Sequence, residues 1–153
     1  MDIDADRFRK IVTTAFGTSD FALSSADATA VLEIAQLAVD VDHHEDPDEL
    51  ELFNSVSRHI CALAKLETMP KIPTTPWEND DAKQQLRAYG AKLKAKPAGA
   101  LAYVIAYLLT VADLQLDEAE SELADDLRVA VGLDEARADE LIAAVSQIVT
   151  PPA

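Results

Sequence analysis

The chain is poor in the residues that build sheets, disulfides and thiolate metal sites. Its 153 residues include 4 glycines, 1 cysteine and an aromatic fraction of 5%. A sheet protein of this size normally needs more glycine-bearing hairpin turns and more β-branched and aromatic residues in its strands. The single cysteine, Cys61, excludes an internal disulfide and a thiolate zinc cluster. Because it follows His59 and Ile60 in a helical pattern, we interpret it as a small core side chain rather than a nucleophile.

Positive charge is also scarce. The chain has 13 basic and 28 acidic residues, which gives a formal net charge of −15. This balance argues against nucleic-acid binding, because that affinity comes chiefly from Lys and Arg displacing counterions from phosphates. A local group of bases on a predicted helix is interpreted as a solvated face rather than a binding surface. This group consists of Lys83, Arg87, Lys92, Lys94 and Lys96.

A leader and a membrane span are not evident. The first ten residues, MDIDADRFRK, are acidic and contain no apolar run, so we expect no signal peptide. The longest apolar stretch runs from Ala98 to Ala112 and is too short to cross a bilayer. We therefore expect a cytoplasmic protein with no direct membrane insertion.

Apolar periodicity and capping signals predict an all-α bundle of about seven helices, folded as a single domain over residues 1–153. Gly17 and Gly132 end the first and sixth helices, while Ser24 or Ser25 and Asp134 begin the second and seventh. The fifth helix is so evenly apolar that it should be the buried centre. The predicted helices run over 4–16, 25–39, 47–64, 79–94, 98–112, 117–132 and 134–149, and a proline-rich connection at 68–77 should pack across the bundle.

A pattern of acidic and apolar residues occurs twice, at a constant offset of 71 residues. The constant spacing indicates one helix-turn-helix unit used twice, with repeat halves at about 24–66 and 97–149. The second and third helices should then map onto the fifth and sixth by a pseudo-twofold rotation. The paired acidic residues are Asp42 and Asp113, Asp46 and Asp117, Glu49 and Glu120, and Glu51 and Glu122; the paired apolar residues include Ile34 and Ile105, Leu37 and Leu108, and Leu52 and Leu123.

Two interpretations of the acidic turns stay open. Carboxylates in the first turn of a helix satisfy orphan amides and the helix dipole, which explains four of them as caps. Asp42 and Asp113 instead lie near the end of the preceding helix, where they either hydrogen-bond turn amides or join a ligand set for Ca²⁺ or Mg²⁺. We favour the capping interpretation. The candidate metal ligands are Asp42, Asp46, Glu49, Asp113, Asp117 and Glu120.

Other chemical motifs are not found in the sequence. The first acidic turn matches the ligand spacing of an EF-hand loop, but Glu45 stands where that loop needs glycine, so an EF-hand is not expected. His43 and His44 are adjacent and therefore point in different directions, which suits exposed turn residues better than ligands. No Ser-His-Asp constellation, phosphate loop or CxxC motif stands out, so no catalytic residue is assigned.

The two acidic turns resemble the repeated signature of the TerB-like tellurite-resistance family. In that signature a helix leads to an Asp-Gly turn, a capping residue and a Glu three positions later. The second copy, IAYLLTVADLQLDEAESEL, has Asp113, Leu116, Asp117 and Glu120 in the family's places, and the first, IAQLAVDVDHHEDPDELEL, keeps Asp42, Asp46 and Glu49. His43 and Leu114 replace the glycine. The resemblance spans roughly 31–145 at the level of helix pattern.

The resemblance implies a seven-helix domain with internal symmetry and an acidic surface that binds divalent metal. In that family the domain serves in stress-response complexes and is not an enzyme. We therefore expect a non-enzymatic binding or scaffold module, with Ca²⁺ or Mg²⁺ as a candidate cofactor and a protein partner that has a basic or cation-bridged surface. The alternative is a metal-dependent enzyme or divalent-cation sensor that uses the same carboxylates.

Substitution of two aspartates separates capping from metal binding. Asp117→Ala should lower the free energy of unfolding by about 1 kcal/mol, because an N-cap would be lost. Asp113→Ala should lower the melting temperature equally with Ca²⁺ and with chelator if the side chain bonds turn amides. If Asp113 is a ligand, its loss should lower melting only when metal is present, since a ligand stabilises by mass action. Thermal unfolding of both variants in the two buffers distinguishes these outcomes.

Overall fold

The computed structural model describes residues 5–17, 24–40, 47–65, 79–94, 97–112 and 125–149. Within these ranges the chain is helical apart from short turns, so the all-α prediction is confirmed for them. The helices are α1 (Ala5–Phe16), α2 (Ser25–Asp40), α3 (Pro47–Leu63), α4 (Asn79–Lys92), α5 (Pro97–Ala112), α6 (125–130) and α7 (Glu135–Val149).

Side-chain caps set the starts of two helices. Ser24 Oγ accepts a hydrogen bond of 3.1 Å from the amide of Asp27, and α2 begins one residue after that serine. Asp134 Oδ1 accepts a hydrogen bond of 2.7 Å from the amide of Arg137 at the start of α7. Each cap satisfies an amide that has no partner within its helix. Both predicted caps are confirmed.

Two glycines end helices in the left-handed conformation. Gly17 follows α1 with φ of 76°, and Gly132 follows α6 with φ of 79°. Both positions were expected as stops, because glycine adopts this conformation without the steric cost of a Cβ. The end of α4 differs from its prediction at Lys94. The amides of Leu93 and Lys94 bond to carbonyls only three residues back, so a tight turn follows the helix and α4 ends at Lys92.

Helix α5 is the centre of the described fold, as predicted. Every side chain from Ala100 to Ala106 is at most 6% exposed. The helix packs against α1, α2, α3 and α7, with its most extensive contact along α2. A helix that is apolar on all sides is stable in water only when neighbours cover it, and these four helices do so. The resulting hydrophobic core extends from Phe8 to Val145.

Small residues let α4 and α5 approach α6 closely. A Cβ added at Gly90 in α4 would lie 2.6 Å from the Cβ of Ala130 in α6. A Cβ at Gly99 in α5 would lie 2.7 Å from the carbonyl oxygen of Leu93 and 3.1 Å from the Cβ of Val131. The separations of 2.6 and 2.7 Å are shorter than real Cβ contacts, so a larger residue at either position would force a neighbour to shift.

The internal repeat and the single domain over 1–153 stay predictions. The two acidic turns at 41–46 and 113–120 and the proline-rich connection at 68–77 lie outside the described residues, as does the first part of the predicted sixth helix. The described helices therefore give no test of the superposition of one half, 24–66, on the other, 97–149.

Gly90→Ala should lower the free energy of unfolding by up to about 2 kcal/mol. Overpacking against Ala130 costs roughly 1–3 kcal/mol, and alanine's higher helix propensity offsets about 1 kcal/mol of it. In an Ala130→Gly background the obstructing Cβ is gone, so the same substitution should become stabilising. Chemical denaturation of the wild type, both single variants and the double variant measures this coupling. Additive effects of the two changes would contradict the close contact.

Candidate functional sites

The predicted metal ligands are not tested by the described side chains. Five of them, Asp42, Asp46, Asp113, Asp117 and Glu120, lie outside the described residues. Glu49 belongs to the first turn of α3, and the structure describes its backbone only. The convergence of these carboxylates on a cation stays a prediction, as does their capping role.

The described helices nevertheless fix where the acidic turns begin and end. Helix α2 ends at Asp40 and α3 begins at Pro47, so residues 41–46 connect two helices that pack on each other. Pro47 occupies the first helical position, as predicted, where its missing amide costs no hydrogen bond. Helix α5 ends at Ala112, directly before Asp113. Both acidic turns therefore start from helices of the central packed group α2, α3 and α5.

Metal-ligating side chains do not cluster elsewhere in the described ranges. Within 5–17, 24–40, 47–65, 79–94, 97–112 and 125–149, no three His, Cys, Asp or Glu residues come together as a possible metal site. His59 stacks its ring on Phe8, with centroids 5.0 Å apart. Burial raises the pKa of the Cys61 thiol, so at neutral pH the thiol stays protonated and is a poor nucleophile. His59 and Cys61 therefore pack against other side chains of the described helices.

A polar group lies where α5 meets α6 and α7. Tyr103 is 6% exposed, and burial raises the pKa of its hydroxyl. The negative charge of Asp125 raises this pKa further and that of Asp139 adds to it, while the positive charge of Arg128 lowers it. Arg128 Nη1 donates a hydrogen bond of 3.1 Å to the carbonyl oxygen of Leu133. The phenol is therefore neutral at physiological pH and available as a hydrogen-bond donor.

One cation of the basic helix α4 forms an ion pair with α2. Lys92 Nζ lies 3.9 Å from Glu33 Oε2 on α2 and 5.4 Å from the centroid of the Tyr89 ring. Arg87 and Lys94 are exposed. These environments fit the interpretation of α4 as a solvated face, with one cation joining it to α2.

A cleft of about 550 Å³ lies along α1 and reaches α7. Among the residues that the structure describes, its lining includes Asp6, Arg9, Lys10, Thr13, Thr14 and Ile148. Arg137 of α7 donates from Nη2 to the carbonyl oxygen of Thr14 at 3.3 Å, and its Nη1 lies 3.3 Å from Glu140 Oε2. This hydrogen bond connects the start of α7 to the end of α1, so the two helices run antiparallel along the cleft.

The cleft presents cations and hydroxyl oxygens together. Arg9 and Lys10 are exposed, and neither forms an ion pair with a carboxylate in the described part of the chain. Thr13 and Thr14 donate their hydroxyl hydrogens to the carbonyl oxygens of Arg9 and Lys10, both at 2.8 Å. The hydroxyl oxygens keep lone pairs that can accept hydrogen bonds. The side chain of Ile148 adds an apolar surface.

The α1 cleft is not among the sites predicted from the sequence. A signal was available, because α1 carries three bases, Arg7, Arg9 and Lys10, and one acid, Asp6, in a chain with a net charge of −15. The position of Ile148 was not readable, since it depends on the packing of α7 against α1.

Comparison with protein-family models, curated proteins and solved structures finds no match for this chain. The TerB-like resemblance therefore rests on the two short acidic motifs and the helix pattern. None of the helices in the described ranges is long and apolar enough to cross a membrane. Helix α5, the most apolar of them, has 16 residues, whereas a span needs about 20.

Tyr103 should make the stability of the fold sensitive to alkaline pH. Its folded-state pKa is raised above the unfolded value of about 10, so its contribution is fully present below pH 10 and is lost as the pH rises further. The free energy of unfolding should therefore fall more steeply above pH 10 in the wild type than in Tyr103→Phe. Asp125→Asn should lower the pKa of Tyr103 in a spectrophotometric titration. Identical alkaline profiles for the wild type and Tyr103→Phe would contradict this assignment.

Proposed function

We propose that this protein is a non-enzymatic, TerB-like binding or scaffold module of a stress-response system related to tellurite resistance. Its acidic turns recruit a protein partner that has a basic or cation-bridged surface. The observation that carries the proposal is the segregation of charge in the sequence. Segments 40–51 and 113–126 each contain seven acidic residues and no Lys or Arg.

Such segments are unfavourable to the isolated protein and favour association with cations. Carboxylates crowded without bases repel each other, and this repulsion is relieved when a positive group approaches. Complementary charge also accelerates encounter with a basic partner. The helices that lead into the turns, α2 and α5, make the most extensive contact in the core. A well-packed base of this kind supports a binding surface at little cost in ordering.

A divalent cation is the proposed regulator of this surface. Carboxylate oxygens are the preferred ligands of Ca²⁺ and Mg²⁺. A bound cation would reduce the repulsion within a turn and could bridge to acidic groups of the partner. The proposed ligands are Asp42, Asp46 and Glu49 in one turn, and Asp113, Asp117 and Glu120 in the other.

The alternative is a metal-dependent enzyme or a divalent-cation sensor built on the same carboxylates. The position of Asp42 and Asp113 favours a metal role, because a helix C-terminus disfavours negative charge unless a cation offsets it. Titration calorimetry of chelator-treated protein with Ca²⁺, Mg²⁺, Mn²⁺ and Zn²⁺ tests for the site. Metal-dependent turnover of a substrate would support the enzyme, whereas metal binding without turnover supports the module.

Removing three of the charges in the acidic turns should weaken partner recruitment without unfolding the protein. The test variant changes Glu45, Glu118 and Glu122 to Gln, since these residues lie outside the proposed capping and ligand sets. Affinity capture from native lysate should yield basic partners with the wild type at low salt and fewer at high salt, because exposed charges are screened beyond about 10 Å at 0.1 M ionic strength. The test variant should capture them poorly at both salt concentrations.

A matched control removes the same number of charges from α7. This variant carries Glu135→Gln, Asp139→Asn and Glu140→Gln, all exposed in the structure. It should capture the same partners as the wild type, and circular dichroism should show equal helix content in all three proteins. Equal losses in the test and control variants would reduce the effect to overall charge and would count against recruitment through the turns.

A further inference from the structure

We propose that the cleft between α1 and α7 is a second docking surface, which binds a short, extended, acidic segment of a partner protein. The residues that carry this inference are the lining side chains Asp6, Arg9, Lys10, Thr13, Thr14 and Ile148. The proposal is independent of the acidic turns, because it concerns a different part of the chain and the opposite charge.

Helix α1 is richer in bases than the rest of the chain. Acidic residues outnumber basic ones by more than two to one in the whole chain, yet α1 has three bases and one acid. In such a chain carboxylate partners are plentiful. Arg9 and Lys10 nevertheless form no ion pair within the described ranges, and both line the cleft. Two adjacent cations that pair with no carboxylate of the described helices, in a concave surface, favour a ligand that brings carboxylates.

The threonine hydroxyls decide between a peptide and a phosphate. Thr13 and Thr14 already donate their hydroxyl hydrogens to backbone carbonyl oxygens at 2.8 Å, so they offer only lone pairs to a ligand in the cleft. Phosphate oxygens are mostly acceptors, with only one or two O–H groups at neutral pH, so a phosphate matches these hydroxyl oxygens less well. A peptide backbone brings N–H donors for these oxygens and side-chain carboxylates for the two cations. The cleft is therefore better matched to an acidic peptide.

The dimensions and the apolar wall define the segment further. The lining on α1 runs from Asp6 to Thr14, which at 1.5 Å per helical residue is about 12 Å, or about four residues of extended chain. Ile148 offers an apolar contact for one aliphatic side chain. Asp6 lies at the other end of this stretch from the threonines, so a basic residue of the ligand belongs there. Because α7 runs antiparallel to α1, Ile148 near its end lies toward the Asp6 end of the stretch. The expected segment therefore has an aliphatic residue and one Lys or Arg together, followed by two acidic residues.

A second copy of the chain fits the cleft less well than a separate partner. Two molecules that each carry a net charge of −15 repel each other over distances up to the Debye length. A four-residue contact also buries less surface than a stable dimer needs and belongs to the class of weak, transient interfaces. The surface is thus suited to reversible capture of a short motif.

The test uses the full chain and a fluorescein-labelled peptide with the sequence order Leu, Lys, Glu, Glu flanked by Ser. Fluorescence anisotropy should show binding to the wild type, with a dissociation constant roughly tenfold weaker for Arg9→Gln/Lys10→Gln, as expected for two exposed ion pairs. A control with the same charge loss at α4 and the turn that follows it, Arg87→Gln/Lys94→Gln, should bind like the wild type. Both of these side chains are exposed.

A second variant pair keeps the charge and tests the acceptor argument. Thr13→Val/Thr14→Val preserves the β-branched shape but removes the hydroxyl oxygens, so it should weaken the peptide severalfold and leave inorganic phosphate binding unchanged or stronger. Circular dichroism and thermal unfolding of each variant check that α1 remains folded. The acidic turns are intact in all of these proteins, so failure here leaves the proposed function standing, and the reverse also holds.

Four outcomes would overturn the proposal. They are no binding of the peptide to the wild type, equal weakening by the α4 control, phosphate binding as tight as the peptide and insensitive to the threonine changes, and concentration-dependent self-association that Arg9→Gln/Lys10→Gln abolishes. The last would assign the cleft to a second copy of the chain. Weakening by both α1 variants and not by the α4 control would establish the docking surface.

Discussion

Helix α5 carries apolar side chains on all sides, and the positions of its neighbours follow from the need to cover it. Burial of apolar surface contributes about 25 cal/mol per Å², so a helix of this kind left in water would forgo most of its stabilisation. Four helices, α1, α2, α3 and α7, pack on it. Each of these presents an apolar face inward and therefore sends its charges outward. The surface chemistry of the protein is thus a consequence of how its centre is covered.

Close covering of α5 depends on small residues as much as on large ones. Gly99 lets the carbonyl oxygen of Leu93 and the side chain of Val131 lie against the start of α5. Gly90 lets α4 meet Ala130 of α6 in the same way. The buried hydroxyl of Ser57 in α3 is satisfied within its own helix, because it donates to the carbonyl oxygen of Phe53 at 2.7 Å. Dense packing at these points fixes the start of α5 and its position relative to α4 and α6.

The elements of the fold were predictable because their signals are local. Ser24 and Asp134 cap helices through amides three residues away, and Gly17 and Gly132 stop helices by their own backbone conformation. The central place of α5 was readable from its composition alone. The α1 cleft was not, because its wall includes Ile148, whose approach to α1 depends on the packing of helices far apart in sequence. The role of the acidic turns stayed ambiguous for a different reason: capping and cation binding use the same carboxylates at the same spacing.

The uneven distribution of charge costs the fold little, which is why it is informative about association. An exposed ion pair contributes about 0–1 kcal/mol, so pairing Arg9 and Lys10 with carboxylates of the same chain would add little stability. Stability therefore places almost no constraint on where these charges lie. Recognition of a partner does constrain their positions, because a charged surface acts on a partner over about 8 Å at physiological ionic strength. If both proposed surfaces bind as inferred, a basic partner and an acidic segment would engage different parts of the chain, which is the arrangement a scaffold requires.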